Sequence, residues 1–80
     1  MGKLHTIGKI EIRVNANDHL PPHFHVKHHD FQAMVSIATM TIMEGHIPPA
    51  VLQDVMGWAK ANRPAIVAEW NRINANYPTT

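Results

Sequence analysis

The stretch Lys9-Ile10-Glu11-Ile12-Arg13-Val14-Asn15 alternates strictly between polar and apolar side chains. Successive side chains of a β-strand point to opposite faces, so its three apolar residues would share one face and its charged residues the other. A strand with one apolar face has to be covered on that side by another layer of the protein. We therefore expect a half-buried strand in a sheet with one covered and one open face.

Further strands follow along the chain. Residues His23–Lys27 alternate in the same way, and Phe31–Ile37 does so again with its odd-numbered residues apolar. His28-His29-Asp30 fits a short hairpin connection between these two strands. Residues 39–43 are rich in β-branched side chains and are typical of a fourth strand, closed by Glu44-Gly45. The first half of the chain therefore predicts three to four strands within about residues 4–43.

The second half shows apolar residues at helical spacing. Pro48-Pro49 suits the first turn of a helix, where the missing N–H costs nothing. Asn62-Arg63-Pro64 interrupts the pattern and restarts it, with Asn62 as a candidate N-cap. Two helices are predicted, over about residues 48–61 and 63–76. The resulting fold is an α+β domain spanning residues 1–80, an antiparallel β-meander with one face covered by a C-terminal helical hairpin.

Composition narrows the class of protein. The 80 residues carry 45% hydrophobic side chains, which is normal for one small globular domain. The chain has no cysteine and a formal net charge of +1, which exclude a thiolate metal site and a strongly basic nucleic-acid-binding arm. No run is apolar enough for a membrane span, so we expect a cytoplasmic protein without membrane partners.

The candidate site lies in the run Asp18-His19-Leu20-Pro21-Pro22-His23-Phe24-His25-Val26. Two histidines two residues apart in a strand point to the same side with Cα atoms about 7 Å apart. Imidazole binds divalent metals, and the preceding turn supplies further ligands. We therefore consider the hypothesis that an ion such as zinc is bound by Asp18, His19, His23 and His25. The alternative is that the histidines are solvated and Asp18 bonds the backbone of its own loop.

The open face of the predicted sheet gathers polar side chains from several strands. Its proposed binding residues are Glu11, Arg13, His23, His25 and Lys27. Because these side chains form one exposed surface, we expect the protein to be a regulatory module that binds a macromolecular partner, either a protein or a nucleic acid. A first alternative is a metal- or His-dependent nuclease, with Asp18 orienting a histidine as general base. A second is a subunit that forms a homodimer through an apolar surface containing Met34, Met40 and Met43.

Several of these motifs resemble the domain of unknown function 4160 family of small bacterial proteins. The main match is Asp18-His19-x-Pro21-Pro22-His23-Phe24-His25-Val26, and the resemblance extends over about Ile10–Asn74. Further matches are Glu44-Gly45-x-Ile47-Pro48 before the first helix, Trp58-Ala59 within it, and Glu69-Trp70 in the second helix.

The resemblance implies no settled activity. Members of this family are often encoded beside another small domain of unknown function and are suspected components of toxin–antitoxin modules, which makes a bacterial or phage regulatory role the expectation here. Asp18, His19, His23 and His25 carry over as motif positions. The chain departs from the family pattern at Leu20, where many members have a polar residue, and at Ala38-Thr39-Met40, which replaces the expected turn.

Overall fold

The computed structural model describes residues 3–16 and 20–79, which form an antiparallel sheet followed by two helices. The strands are β1 (Lys3–Ile7), β2 (Ile10–Arg13), β3 (His23–Lys27), β4 (Gln32–Ser36) and β5 (Ile42–Gly45). Their order in the sheet equals their order in the chain, so the sheet is a simple meander. The α+β class is therefore confirmed, with five strands rather than three to four.

The strand that the sequence pattern missed is β1. Its pairing with β2 changes register between Lys3 and His5, and such a bulge breaks the two-residue alternation by which a strand is recognised. Gly8 follows with a φ of 58°, in the left-handed region that glycine enters without steric cost. This turn sends the chain back along β1 as β2.

The last strand, β5, begins three residues later than predicted. Residues 37–39 form a turn instead, in which the Met40 N–H donates to the Ser36 carbonyl at 2.8 Å. Met40 adopts a φ of 56° and packs against the core. The departure from the family pattern at Ala38-Thr39-Met40 therefore falls in the β4–β5 connection, and Glu44-Gly45 belongs to the strand.

One face of the sheet forms the hydrophobic core together with the helices. The predicted apolar face of the second strand is confirmed, because Ile12 and Val14 are fully buried and Ile10 nearly so. The neighbouring strands contribute Phe24, Val26, Ala33 and Val35 to the same cluster, and the helices contribute Val55, Ala59, Ile66 and Trp70.

The helices are α1 (Pro49–Ala61) and α2 (Arg63–Ile73), each with a proline in its first turn. Asn62 lies at the predicted N-cap position of α2, but its side chain makes no capping hydrogen bond there. Its side-chain amide donates instead to the Trp58 carbonyl at 2.8 Å, so it satisfies the end of α1. Helix α2 ends three residues earlier than expected, and Asn74 after it donates to the Asn15 carbonyl at 3.0 Å.

Among the described residues, neither helix is long and apolar enough to cross a membrane.

Gly45 is the position where strand pairing demands glycine. It pairs with Ala33 and has a φ of 87°. A Cβ atom at this position would collide with the Gln32 carbonyl oxygen and lie 2.7 Å from the Ala33 Cα. Both contacts are with backbone, which cannot move aside without breaking the β4–β5 pairing.

We predict opposite effects for two glycine-to-alanine substitutions. Gly45→Ala lowers the free energy of unfolding by at least about 2 kcal/mol, because it adds backbone strain to a steric clash. Gly57→Ala, in the middle of α1 with no neighbouring atom near its added Cβ, raises it by about 0.5–1 kcal/mol. Urea denaturation followed by far-UV circular dichroism measures both. Wild-type stability in Gly45→Ala would contradict the position of β5.

Candidate functional site

The face of the sheet opposite the core carries polar side chains in register. Arg13 pairs with His25, His25 with Met34, and Met34 with Glu44, so one row crosses four strands. A second row contains Glu11, Lys27 and Gln32. All seven side chains are exposed or partly exposed. We call this set the open face: Glu11, Arg13, His25, Lys27, Gln32, Met34 and Glu44.

The Arg13 guanidinium is held in place along β2. Its Nη1 lies 3.3 Å from Oε1 of Glu11, and its Nε donates to Oδ1 of Asn15 at 3.1 Å. The Arg13 and Glu11 side chains are each about one-third exposed, at 34% and 32%. An ion pair at this exposure contributes little to folding, but together with the bond to Asn15 it restricts the orientation of the guanidinium.

His23 does not lie on the open face, and the prediction that it is displayed there is wrong. Its side chain is fully buried, with its ring centroid 5.8 Å from that of Trp70 on α2. Its Nδ1 lies 2.8 Å from the Pro21 carbonyl oxygen, which can only accept, so Nδ1 carries the proton and donates. The alternation gave the correct side of the strand, but it could not show that this ring is buried beside Trp70.

Ser36, the cross-strand partner of His23, is also buried, with only 7% of its surface exposed. Its Oγ accepts a hydrogen bond from the Thr39 N–H at 3.3 Å, which fixes the β4–β5 turn. At this end of the sheet, polar side chains therefore stabilise loops rather than face solvent.

Of the four predicted metal ligands, Asp18 and His19 lie outside the described residues. The rings of His23 and His25 have centroids 5.0 Å apart in an edge-on arrangement. The alternation therefore brought these two side chains together as expected. They differ in environment, since His23 is buried and His25 is partly exposed.

A depression of about 300 Å³ lies on the open face where β3, β4 and β5 meet. It is lined by His25, Lys27, Gln32, Ala33, Met34, Glu44 and Gly45. This volume is at the lower end of the range for small-ligand pockets. Gly45 lines it where the β5 backbone lies close against that of β4.

Sequence reasoning missed the contribution of β5 to this depression. Glu44 was assigned only to the end of a strand, because the predicted strand stopped at Met43. The Glu44-Gly45 pair was the available signal, since a glycine beside a charged residue at a strand end indicates close backbone approach. The predicted methionine surface is not continuous: Met34 lies on the open face, whereas Met40 packs against the core.

The two histidines of β3 should respond differently to removal. His23→Ala lowers the free energy of unfolding by about 2–4 kcal/mol, because it leaves a cavity beside Trp70 and breaks the bond to Pro21. His25→Ala costs less than about 1 kcal/mol, because its side chain is partly exposed. Urea denaturation followed by far-UV circular dichroism compares the two, and equal losses would contradict the burial of His23.

Comparison with known proteins gives one match. No curated protein matches the chain, and no solved structure matches it. A family model described as domain of unknown function (DUF4160) matches residues 9–71, from the turn before β2 almost to the end of α2. This range contains the Pro-Pro-His-Phe-His motif, the whole open face and both buried aromatic anchors, Phe24 and Trp70. The chain therefore belongs to the DUF4160 family.

Proposed function

We propose that this protein is a small regulatory binding module whose open face docks a protein partner. The observation that carries the proposal is the depression between β3, β4 and β5. It is bordered by Lys27 and Glu44, which have opposite charges, and by the flexible apolar side chain of Met34. A recess of mixed polar and apolar lining can receive a side chain of a protein partner that offers both kinds of contact.

The charges of the open face favour a protein over a nucleic acid. Arg13 and Lys27 supply two positive charges, and Glu11 and Glu44 supply two negative ones, so the formal charge is 2 − 2 = 0 when His25 is neutral. The Arg13 guanidinium already lies against the Glu11 carboxylate. Nucleic-acid binding depends on an excess of positive charge along the phosphate backbone, whereas a mixed face matches a mixed protein surface.

The nuclease hypothesis gains no comparable support from the described residues. A general base has to reach the proton that it abstracts, and the fully buried His23 side chain is packed against Trp70. A regulatory role in a toxin–antitoxin pair, which family membership suggests, suits a module that acts by occupying its partner. We therefore take the product of the adjacent gene as the first partner to test.

The decisive experiment maps the docking surface by nuclear magnetic resonance. The isotope-labelled protein is titrated with the product of the adjacent gene, and we expect the largest amide shifts in β3, β4 and β5. The double variant Lys27→Glu/Met34→Lys should bind at least tenfold more weakly, because it reverses a charge and places another beside the depression.

A matched control lies on the exposed surface of α1. The double variant Gln53→Lys/Lys60→Glu makes the same two changes in charge at exposed residues away from the open face, and it should bind as the wild type does. Shifts centred on the helices, or equal weakening by both double variants, would contradict the proposal. So would growth arrest by the protein expressed alone and relieved by His25→Ala, which is the behaviour of a nuclease toxin.

A further inference from the structure

The hairpin between β3 and β4 carries a second group of chemically active side chains. His28 and Phe31 close it with reciprocal backbone hydrogen bonds of 2.9 and 3.3 Å. The His28 ring stacks on the Phe31 ring at a centroid distance of 4.7 Å and an angle of 13°. His28 is only 17% exposed, so this ring is held firmly at the base of the turn.

His29 and Asp30 project from the tip of the same hairpin. Oδ2 of Asp30 lies 3.9 Å from Nδ1 of His28, and Oδ1 lies 3.4 Å from Nε2 of His29. The two imidazole rings stack at a centroid distance of 4.3 Å. The carboxylate therefore has one oxygen near each ring, and one ligand atom from each residue lies within 4.8 Å of the other two.

From this geometry we infer that His28, His29 and Asp30 form a binding site for a divalent transition metal ion of the zinc type. Two imidazole nitrogens and one carboxylate oxygen are a ligand set that zinc and its neighbours accept, with a remaining position for water. Ligand atoms around a tetrahedral ion with bonds of about 2.1 Å are about 3.4 Å apart. His29 and Asp30 are 70% and 71% exposed, so their side chains can close this gap by rotation without disturbing the core.

Metal binding at this site displaces one existing hydrogen bond. The Asp30 N–H donates to Nδ1 of His28 at 3.1 Å, and an ion bound to that nitrogen takes its lone pair. The N–H is at an exposed turn and can bond to water instead, so the loss is small. The compensation is the attraction of a divalent ion to two imidazole nitrogens and a carboxylate that already lie within 4.8 Å of one another.

This site is separate from the predicted set of Asp18, His19, His23 and His25. It also does not depend on the proposed docking function, although it lies next to the open face. Lys27 and Gln32 flank the hairpin and line the depression, so a bound ion would stiffen one wall of that depression. The sequence pattern assigned His28-His29-Asp30 only to a short hairpin connection, because it does not show how the three side chains lie relative to one another.

The test uses untagged full-length protein freed of metal by a chelator. Zinc is titrated against a chromophoric chelator, and cobalt is added separately because its visible absorption reports coordination geometry. We expect one ion per chain in the wild type. His29→Ala and Asp30→Asn should each weaken binding by more than about tenfold, because the first removes one of three protein ligands and the second replaces a charged carboxylate by a neutral amide, a weaker ligand for zinc.

Two control variants test whether zinc binding depends on this cluster rather than on other histidines. His46→Ala removes an exposed histidine outside the cluster, and His25→Ala removes one from the previously predicted set. Both should bind zinc as tightly as the wild type. No zinc binding by the wild type, unchanged binding by His29→Ala and Asp30→Asn, or loss of binding in His25→Ala would each overturn the inference. Because the readout is the metal alone, failure here leaves the docking proposal standing.

Discussion

The structure depends on one constraint: a five-stranded sheet with only two short helices to cover it. Alternation places Ile12, Phe24 and Val35 on one face, and the helices bury that face completely. The chain has no third layer in its described residues, so the opposite face stays open over most of the sheet, apart from the end where His23 and Ser36 are buried. Polar side chains allow that face to contact water, and the cross-strand register fixes which of them are neighbours.

Local patterns in the sequence predicted most of this arrangement. β3 was predicted with its observed bounds, and the apolar faces of β2 and β4 were assigned correctly because period-two alternation is unbroken there. β1 was missed because a bulge disrupts its alternation, and β5 was shifted because Met40 makes a left-handed turn that no local pattern requires. Such irregularities arise from tertiary packing and carry little local signal.

The candidate site was predicted less completely than the fold. Alternation correctly placed Glu11, Arg13, His25 and Lys27 on one side of the sheet. It could not show that the His23 ring is buried beside Trp70 of α2, and so it left His23 among the exposed residues. The depression depends on which strand lies next to β4 and in what register, which is long-range information that no single stretch of sequence contains.

The buried indole of Trp70 has a consequence for how the domain is delimited. Its Nε1–H donates to the Tyr77 carbonyl at 2.7 Å, and Asn71 exchanges two hydrogen bonds with the backbone of Thr79. These acceptors and donors lie beyond residue 71, where the family match ends. A fragment cut at the family boundary would strip the indole of its acceptor, at a cost of about 1–3 kcal/mol. The folding unit is therefore longer than the stretch that the family model matches.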